Sequence, residues 1–254
     1  PLPAALWRDT LQQHPFLSTL TTAEQARLQQ LCGHFLLEKE FHGAHGLVVT
    51  DAMALSIAAQ ACLPLLHIAS PTARSPRNPI DALDWYDDFV GIVVQPGAAV
   101  AMRESIDAAG VVHRYSEVLA GEAMDRGPVM LSWEDVAQAG QVAGSGSNVV
   151  IHEFAHQLDG QSGHTNGIPV LRKGQAYARW EKAMLDAYHD HVERLERGEP
   201  TLIDPYGATN HQEFFAEAIV TFFERPKELR NEEPALYAQL MQLLVCQVMQ
   251  STYK

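Results

Sequence analysis

The sequence predicts an α+β fold in which a run of strands is followed by a run of helices. Two observations set that expectation. β-type runs bounded by glycine and proline fill the middle of the chain: FVGIVVQP (89–96), VVHRYSEVLAG (111–121) and GPVMLSW (127–133). From about residue 145 the pattern turns helical, with helices expected at 146–158, 174–196, 210–224 and 233–249.

The earlier elements follow in order. Residues 21–40 read as a helix that Thr21 or Thr22 caps, with Leu28, Leu31, Leu36 and Leu37 among its apolar positions. A second helix is expected over 50–63. The apolar run 46–69 that contains it is broken by Thr50, Asp51, Gln60 and Pro64, so it reads as a buried helix and not as a membrane span. SPTARSPRNP (70–79) is a proline- and serine-rich loop. It divides an N-terminal helical region, 1–80, from the main unit, 81–254, as two parts of one continuous domain or as neighbours. The short linker GEAMDRG makes an antiparallel hairpin of 111–121 with 127–133 the expected pairing, within a small mixed or antiparallel sheet. Two polar loops, 160–174 and 197–210, separate the later helices and are natural walls for a substrate cleft.

Composition narrows the function. A chain of 254 residues that is 46% hydrophobic can build a substantial core. Its formal net charge is −13 and it holds no basic run, which argues against direct binding of nucleic acid. The three cysteines, Cys32, Cys62 and Cys246, form no CxxC pair, so a disulfide framework is not expected. With no leader-like pattern at the start, the expected location is the cytoplasm.

The chemistry concentrates in NVVIHEFAHQLDG, 148–160. On a helix, His152 and His156 share one face a turn apart, and two neutral imidazoles at that spacing can bind one Zn²⁺. Glu153 then stands beside the metal, where it can take a proton from water. With 12 histidines in the chain, shuffling produces HExxH in roughly four sequences per hundred, so the surroundings must decide. They are apolar: Val149, Val150, Ile151, Phe154, Ala155 and Leu158 bury this helix, and buried polar groups need partners. Asp159 either holds an imidazole N–H or closes the helix in an Asp-Gly turn.

A catalytic zinc needs a third protein ligand and an open position. The pattern HExxHxxGxxH is not completed, because Asp159 and Ser162 occupy the glycine and histidine places. His164 and His211 are loose alternatives. Stronger is YGATNHQEFFAEAIVTFF (206–223), where Glu213 and Glu217 lie one turn apart on an otherwise apolar helix. For Glu213 the bland alternative is a capping box with Asn210, and for Glu217 it is solvent.

HEFAHQLD together with Tyr206, Glu213 and Glu217 resembles the zinc centre of the anthrax lethal factor protease domain. More of the chain, about 15–224, is similar to the Mlc titration factor A (MtfA) family of bacterial zinc peptidases, through PFLSTLTTAEQARLQQL, LDWYDDFVGIVVQP, GPVMLSW and DPYGATNHQEFFAEAI. The resemblance implies a zincin-like fold of the gluzincin type and one Zn²⁺ per chain. In it His152, His156 and Glu213 are the ligands and Glu153 is the general base. Tyr206 faces the oxyanion, and Glu217 supports a ligand. It further implies a peptide substrate, aminopeptidase-like cleavage, and an Mlc-like transcription repressor as partner. Glu122, in GEAMDRG, is then an anchor for a substrate amine or an ordinary turn acid. The reading from another class is a non-catalytic binding protein that sequesters such a repressor around a structural zinc. Structural zinc sites are closed, usually by four Cys or His ligands, and no cysteine lies near the motif.

Overall fold

Hydroxyl and amide side chains that precede apolar-periodic runs mark where helices begin. A computed structural model shows how those starts are used; it describes residues 2–71, 78–97, 99–106, 112–119, 121–123, 127–139, 146–163, 165–171 and 177–245. Helix α1 (Ala4–Gln13) leads through a 3₁₀ turn, Pro15–Thr19, to α2 (Thr22–Glu38). Thr21 and Glu24 close the start of α2 as a reciprocal capping box. The helix stops at Glu38 and not at Glu40, because Lys39 turns extended. There its ammonium donates to the carbonyls of Tyr86 and Phe89 and lies over the Phe89 ring. Glu40 then opens strand β1 (Glu40–Gly43).

Thr50 caps α3 (Asp51–Ala61), the buried helix expected from the apolar run. Pro79–Tyr86 forms a 3₁₀ helix and leads into β2 (Gly91–Gln95). Next come β3 (Ala99–Ile106), β4 (Val112–Leu119), β5 (Gly121–Ala123) and β6 (Val129–Ser132), then α4 (Trp133–Gln138). The remainder is helical: α5 (Val149–Gly160), α6 (Tyr177–Glu196), α7 (His211–Glu224), α8 (Pro226–Glu232) and α9 (Pro234–Leu244), with a 3₁₀ turn at Pro205–Ala208. The expected ends at 174 and 246–249 lie outside the described residues, as does most of the loop 70–79. No helix among the described residues is long and apolar enough to cross a membrane.

The main sheet is mixed, in the order β1-β2-β6-β5. β1, β2 and β6 run parallel, and β5 adds antiparallel to β6. In register, Ile92 faces Val129 and Val94 faces Leu131, four fully buried side chains on the core side of the sheet. The expected hairpin needs correction. Residues 112–119 pair with β3 in a separate two-stranded sheet, and only Gly121–Ala123 pairs with β6. Ala99–Ile106, which includes Arg103, Glu104 and Ser105 in a row, carries no clear alternation and is defined as a strand by its pairing with β4.

One hydrophobic core runs from Trp7 to Leu244 and takes in α2, α3, the sheet, α5, α7 and α9. Helix α5 lies at its centre. Phe154 packs against Phe35, Tyr86 and Phe89 with ring centroids 5.7, 4.9 and 5.7 Å away. That contact fixes one side of α5 and turns its histidines toward α7.

Candidate metal centre

Helix α5 is held at its first turn by Asn148. The amide oxygen of Asn148 accepts from the Ile151 N–H at 2.9 Å, and its Nδ2 donates to Gln60 Oε1 at 2.8 Å. Four and eight residues on, His152 and His156 project from one face, their ring centroids 4.8 Å apart. Glu153 is 4% exposed.

Helix α7 supplies the acids. Asn210 caps it by accepting from the Glu213 N–H at 3.0 Å. The Glu213 carboxylate does not complete a capping box at the helix start but reaches across to α5. Its Oε2 lies 3.1 Å from His152 Nε2 and 3.3 Å from His156 Nε2, and the two imidazole nitrogens are 3.1 Å from each other. Tetrahedral zinc with bonds of 2.0–2.2 Å separates its ligand atoms by roughly 3.3–3.6 Å. The triangle thus fits one such ion with three protein ligands. Among the described residues, His152, His156 and Glu213 form the group able to hold a metal.

Glu217, one turn along α7, accepts from His152 Nδ1 at 2.8 Å. That bond places the proton on Nδ1 and directs the Nε2 lone pair into the triangle, the usual device for orienting a histidine ligand. Electrostatics agree with the geometry. Burial disfavours a charged His152, but Glu213, Glu217 and Glu153 outweigh it and pull its pKa up to about 10 in the metal-free chain. Burial likewise opposes the charge on Glu213, yet His152 and His156 hold it well below the ordinary carboxylate range. Two imidazoles are thus surrounded by more negative charge than they neutralise, a natural setting for a divalent cation.

The other candidates separate cleanly. Tyr206, in the turn Pro205–Ala208, is 40% exposed and its ring centroid is 6.0 Å from that of His152. His211 stacks edge-on against Tyr188, 4.5 Å away, and stands outside the triangle. His164 lies outside the described residues. Asp159 does not end α5, which runs on through Gly160. Its Oδ2 accepts from the Gly167 N–H at 2.8 Å, and burial lifts its pKa to about 6. Gly167 has φ +77°, and a Cβ there would come within 2.9 Å of the His211 carbonyl oxygen. Asp159 therefore straps the loop after α5 against the start of α7. Glu122 lies in β5 opposite Met130.

Gln60 was not singled out for the site by sequence. A lone amide in the apolar run IAAQAC is the signal that could have found it, since a fully buried glutamine needs a partner.

Comparison with known proteins decides the family. The family model for the glucose-regulated metallo-peptidases M90 matches residues 1–244. This chain belongs to the M90 metallopeptidase family. An uncharacterized protein of Synechocystis is 38% identical over 227 residues, covering 89% of this chain and 78% of its own. The Mlc titration factor A proteins of Yersinia pestis and Yersinia pseudotuberculosis are each 30% identical over 237 residues, covering 92% of this chain and 81% of theirs. M90 membership implies a bound metal, and the triangle on α5 and α7 is where this chain's residues fit one.

Proposed function

We propose that this M90 chain is a zinc-dependent peptidase of zincin-like, gluzincin type. One Zn²⁺ per chain would be held by His152, His156 and Glu213. The observation that carries the reading is the convergence of those three ligand atoms within 3.1–3.3 Å, with Glu153 on the same helix. Bound zinc would lower the pKa of water toward about 7 and polarise the scissile carbonyl. Glu153 accepts the proton of the attacking water and later passes it to the leaving amine. The phenol of Tyr206 donates to the carbonyl oxygen as that oxygen gains charge. The ring's partial exposure beside His152 supports this role. Aminopeptidase-like cleavage belongs to the same reading and rests on the family resemblance, with Glu122 as the candidate amine anchor. An Mlc-like repressor is the proposed protein partner, supported by the names of the Yersinia relatives.

A peptide-library assay with parallel metal analysis tests the proposal on the wild type and Glu153→Gln. Both proteins should carry about one zinc, because the ligands survive. Hydrolysis by the variant should fall about 10²–10⁴-fold. Equal hydrolysis by the two proteins would remove Glu153 from the mechanism. Zinc without any Glu153-dependent hydrolysis would leave the binding-protein reading.

A further inference from the structure

Tyr206 sits in a short turn outside any long helix, and something must fix where its ring stands. Within the turn, Asp204 Oδ1 accepts from the Tyr206 N–H at 2.8 Å. The Asp204 carbonyl accepts from the Gly207 N–H at 2.9 Å, and the Tyr206 carbonyl from the Thr209 N–H at 3.0 Å. These local bonds shape the turn but do not say where it rests. Two side chains of α6 do. Tyr188 donates its hydroxyl to the Ala208 carbonyl at 3.2 Å. His191, 4% exposed, stands against the backbone of Asp204, which pulls its pKa up against the larger, opposing effect of burial. Residues 188 and 191 are three apart and share one helix face, so they meet the two ends of the same turn.

Both rings also pack on α7. Tyr188 lies edge-on to Phe214 at 5.5 Å and to His211 at 4.5 Å, and His191 is 5.5 Å from Phe214. Phe214 is fully buried and follows Glu213 directly. The pair thus references the turn to the same helix that carries the proposed ligand.

We propose that Tyr188 and His191 form a clasp on α6 that positions Tyr206, Tyr188 gripping its turn at Ala208 and His191 packing beside it on Phe214. They are positioning residues and touch no reacting atom. The inference rests on the proposed role of Tyr206, yet the clasp can be read without it.

The experiment compares wild type, Tyr188→Phe, Tyr206→Phe and the double variant as zinc-loaded proteins, by peptide hydrolysis and by amide hydrogen exchange. Tyr188→Phe keeps the ring and removes only the donor. The amides of Gly207 and Thr209 should exchange at least about fivefold faster in it, while those of α5 stay unchanged. Its kcat should fall about tenfold with KM and zinc content unchanged, because misplacing a donor costs rate and not binding. Tyr206→Phe should lose about 10²–10³-fold in kcat, and the double variant no more than Tyr206→Phe alone. Unchanged exchange in Tyr188→Phe, or a double variant whose losses multiply, overturns the clasp. If exchange quickens while Tyr206→Phe keeps full activity, the clasp stands and the catalytic role of Tyr206 falls. Should Tyr188→Phe fail to fold, His191→Ala, which removes the ring packed beside the turn on Phe214, carries the same exchange test.

Discussion

Two buried histidines, His14 at the end of α1 and His152 on α5, have opposed surroundings. His14, 2% exposed, meets a neutral partner: its Nε2 is 2.7 Å from the Ser56 hydroxyl. Burial drives its pKa down to about 4, against a weaker pull from the backbone of Ala139. His152 is 9% exposed, and its two ring nitrogens face Glu217 and Glu213. Burial acts on it in the same direction, but the carboxylates reverse the outcome and its pKa rises to about 10. Burial is therefore not what distinguishes a functional histidine from a structural one. The charge of its partners is. His14, Ser56, Gln60 and Asn148 form a neutral polar seam that ends at the cap of α5, joined by bonds of 2.7, 3.2 and 2.8 Å. His152 instead joins His156 and Glu213 in a group whose ligand atoms could hold one cation.

The largest test of that contrast is metal content. His152→Ala removes one corner of the triangle and should weaken zinc by at least roughly 10³-fold. His14→Gln should leave zinc affinity within twofold, since the neutral seam supplies no ligand. Metal analysis after dialysis against a weak chelator reads both. A comparable loss in His14→Gln would break the division between the two sides.

Next in size is an acid effect confined to the neutral side. The unfolded chain protonates His14 near 6.5, whereas the folded chain resists until about 4. Between those values the unfolded state binds more protons, so stability is full above about 6.5 and declines as pH falls toward 4. The cost approaches about 3 kcal/mol at the acid end, from about 1.4 kcal/mol per unit. Urea unfolding of the metal-free protein from pH 7.5 to 4 should show a shallower acid decline in His14→Gln than in wild type. Identical slopes would mean that His14 is already protonated in the fold.

These two sides were unequally legible in the sequence. The metal helix is legible from its apolar run and two histidines one turn apart, both local signals. Glu213 was harder, because Asn210 three residues before it offered a local use for the same carboxylate. Only its reach across to α5 separates the two roles, and that reach is a tertiary fact. The strand Glu40–Gly43 carries no alternation and is defined by its parallel partner β2, so the sequence shows no strand there and the expected helix 21–40 takes in its first residue. With no strand expected at 99–106, the partner of 112–119 is sought at 127–133 and not at β3. The neutral seam joins positions 14, 56, 60 and 148, and nothing in its spacing betrays it.

The smallest test sharpens the charged side. Glu217 contributes no atom to the triangle, and its plainest role would be to fill space at the α5–α7 contact. Its Oε1 lies 2.8 Å from His152 Nδ1, however, and the side chains are only 11% exposed. In that geometry the carboxylate does two things. It fixes the tautomer that frees Nε2 for a metal, and its charge raises the basicity of the ring. Glu217→Gln keeps an acceptor oxygen and the volume but loses the charge, so zinc affinity should fall about tenfold. Glu217→Ala loses both and should approach a hundredfold loss. Competition titration with a chromophoric chelator resolves these steps. The order wild type, Gln, Ala is the prediction. If both variants stay within twofold of wild type, Glu217 is packing alone, and the orientation of His152 must come from the walls of α5.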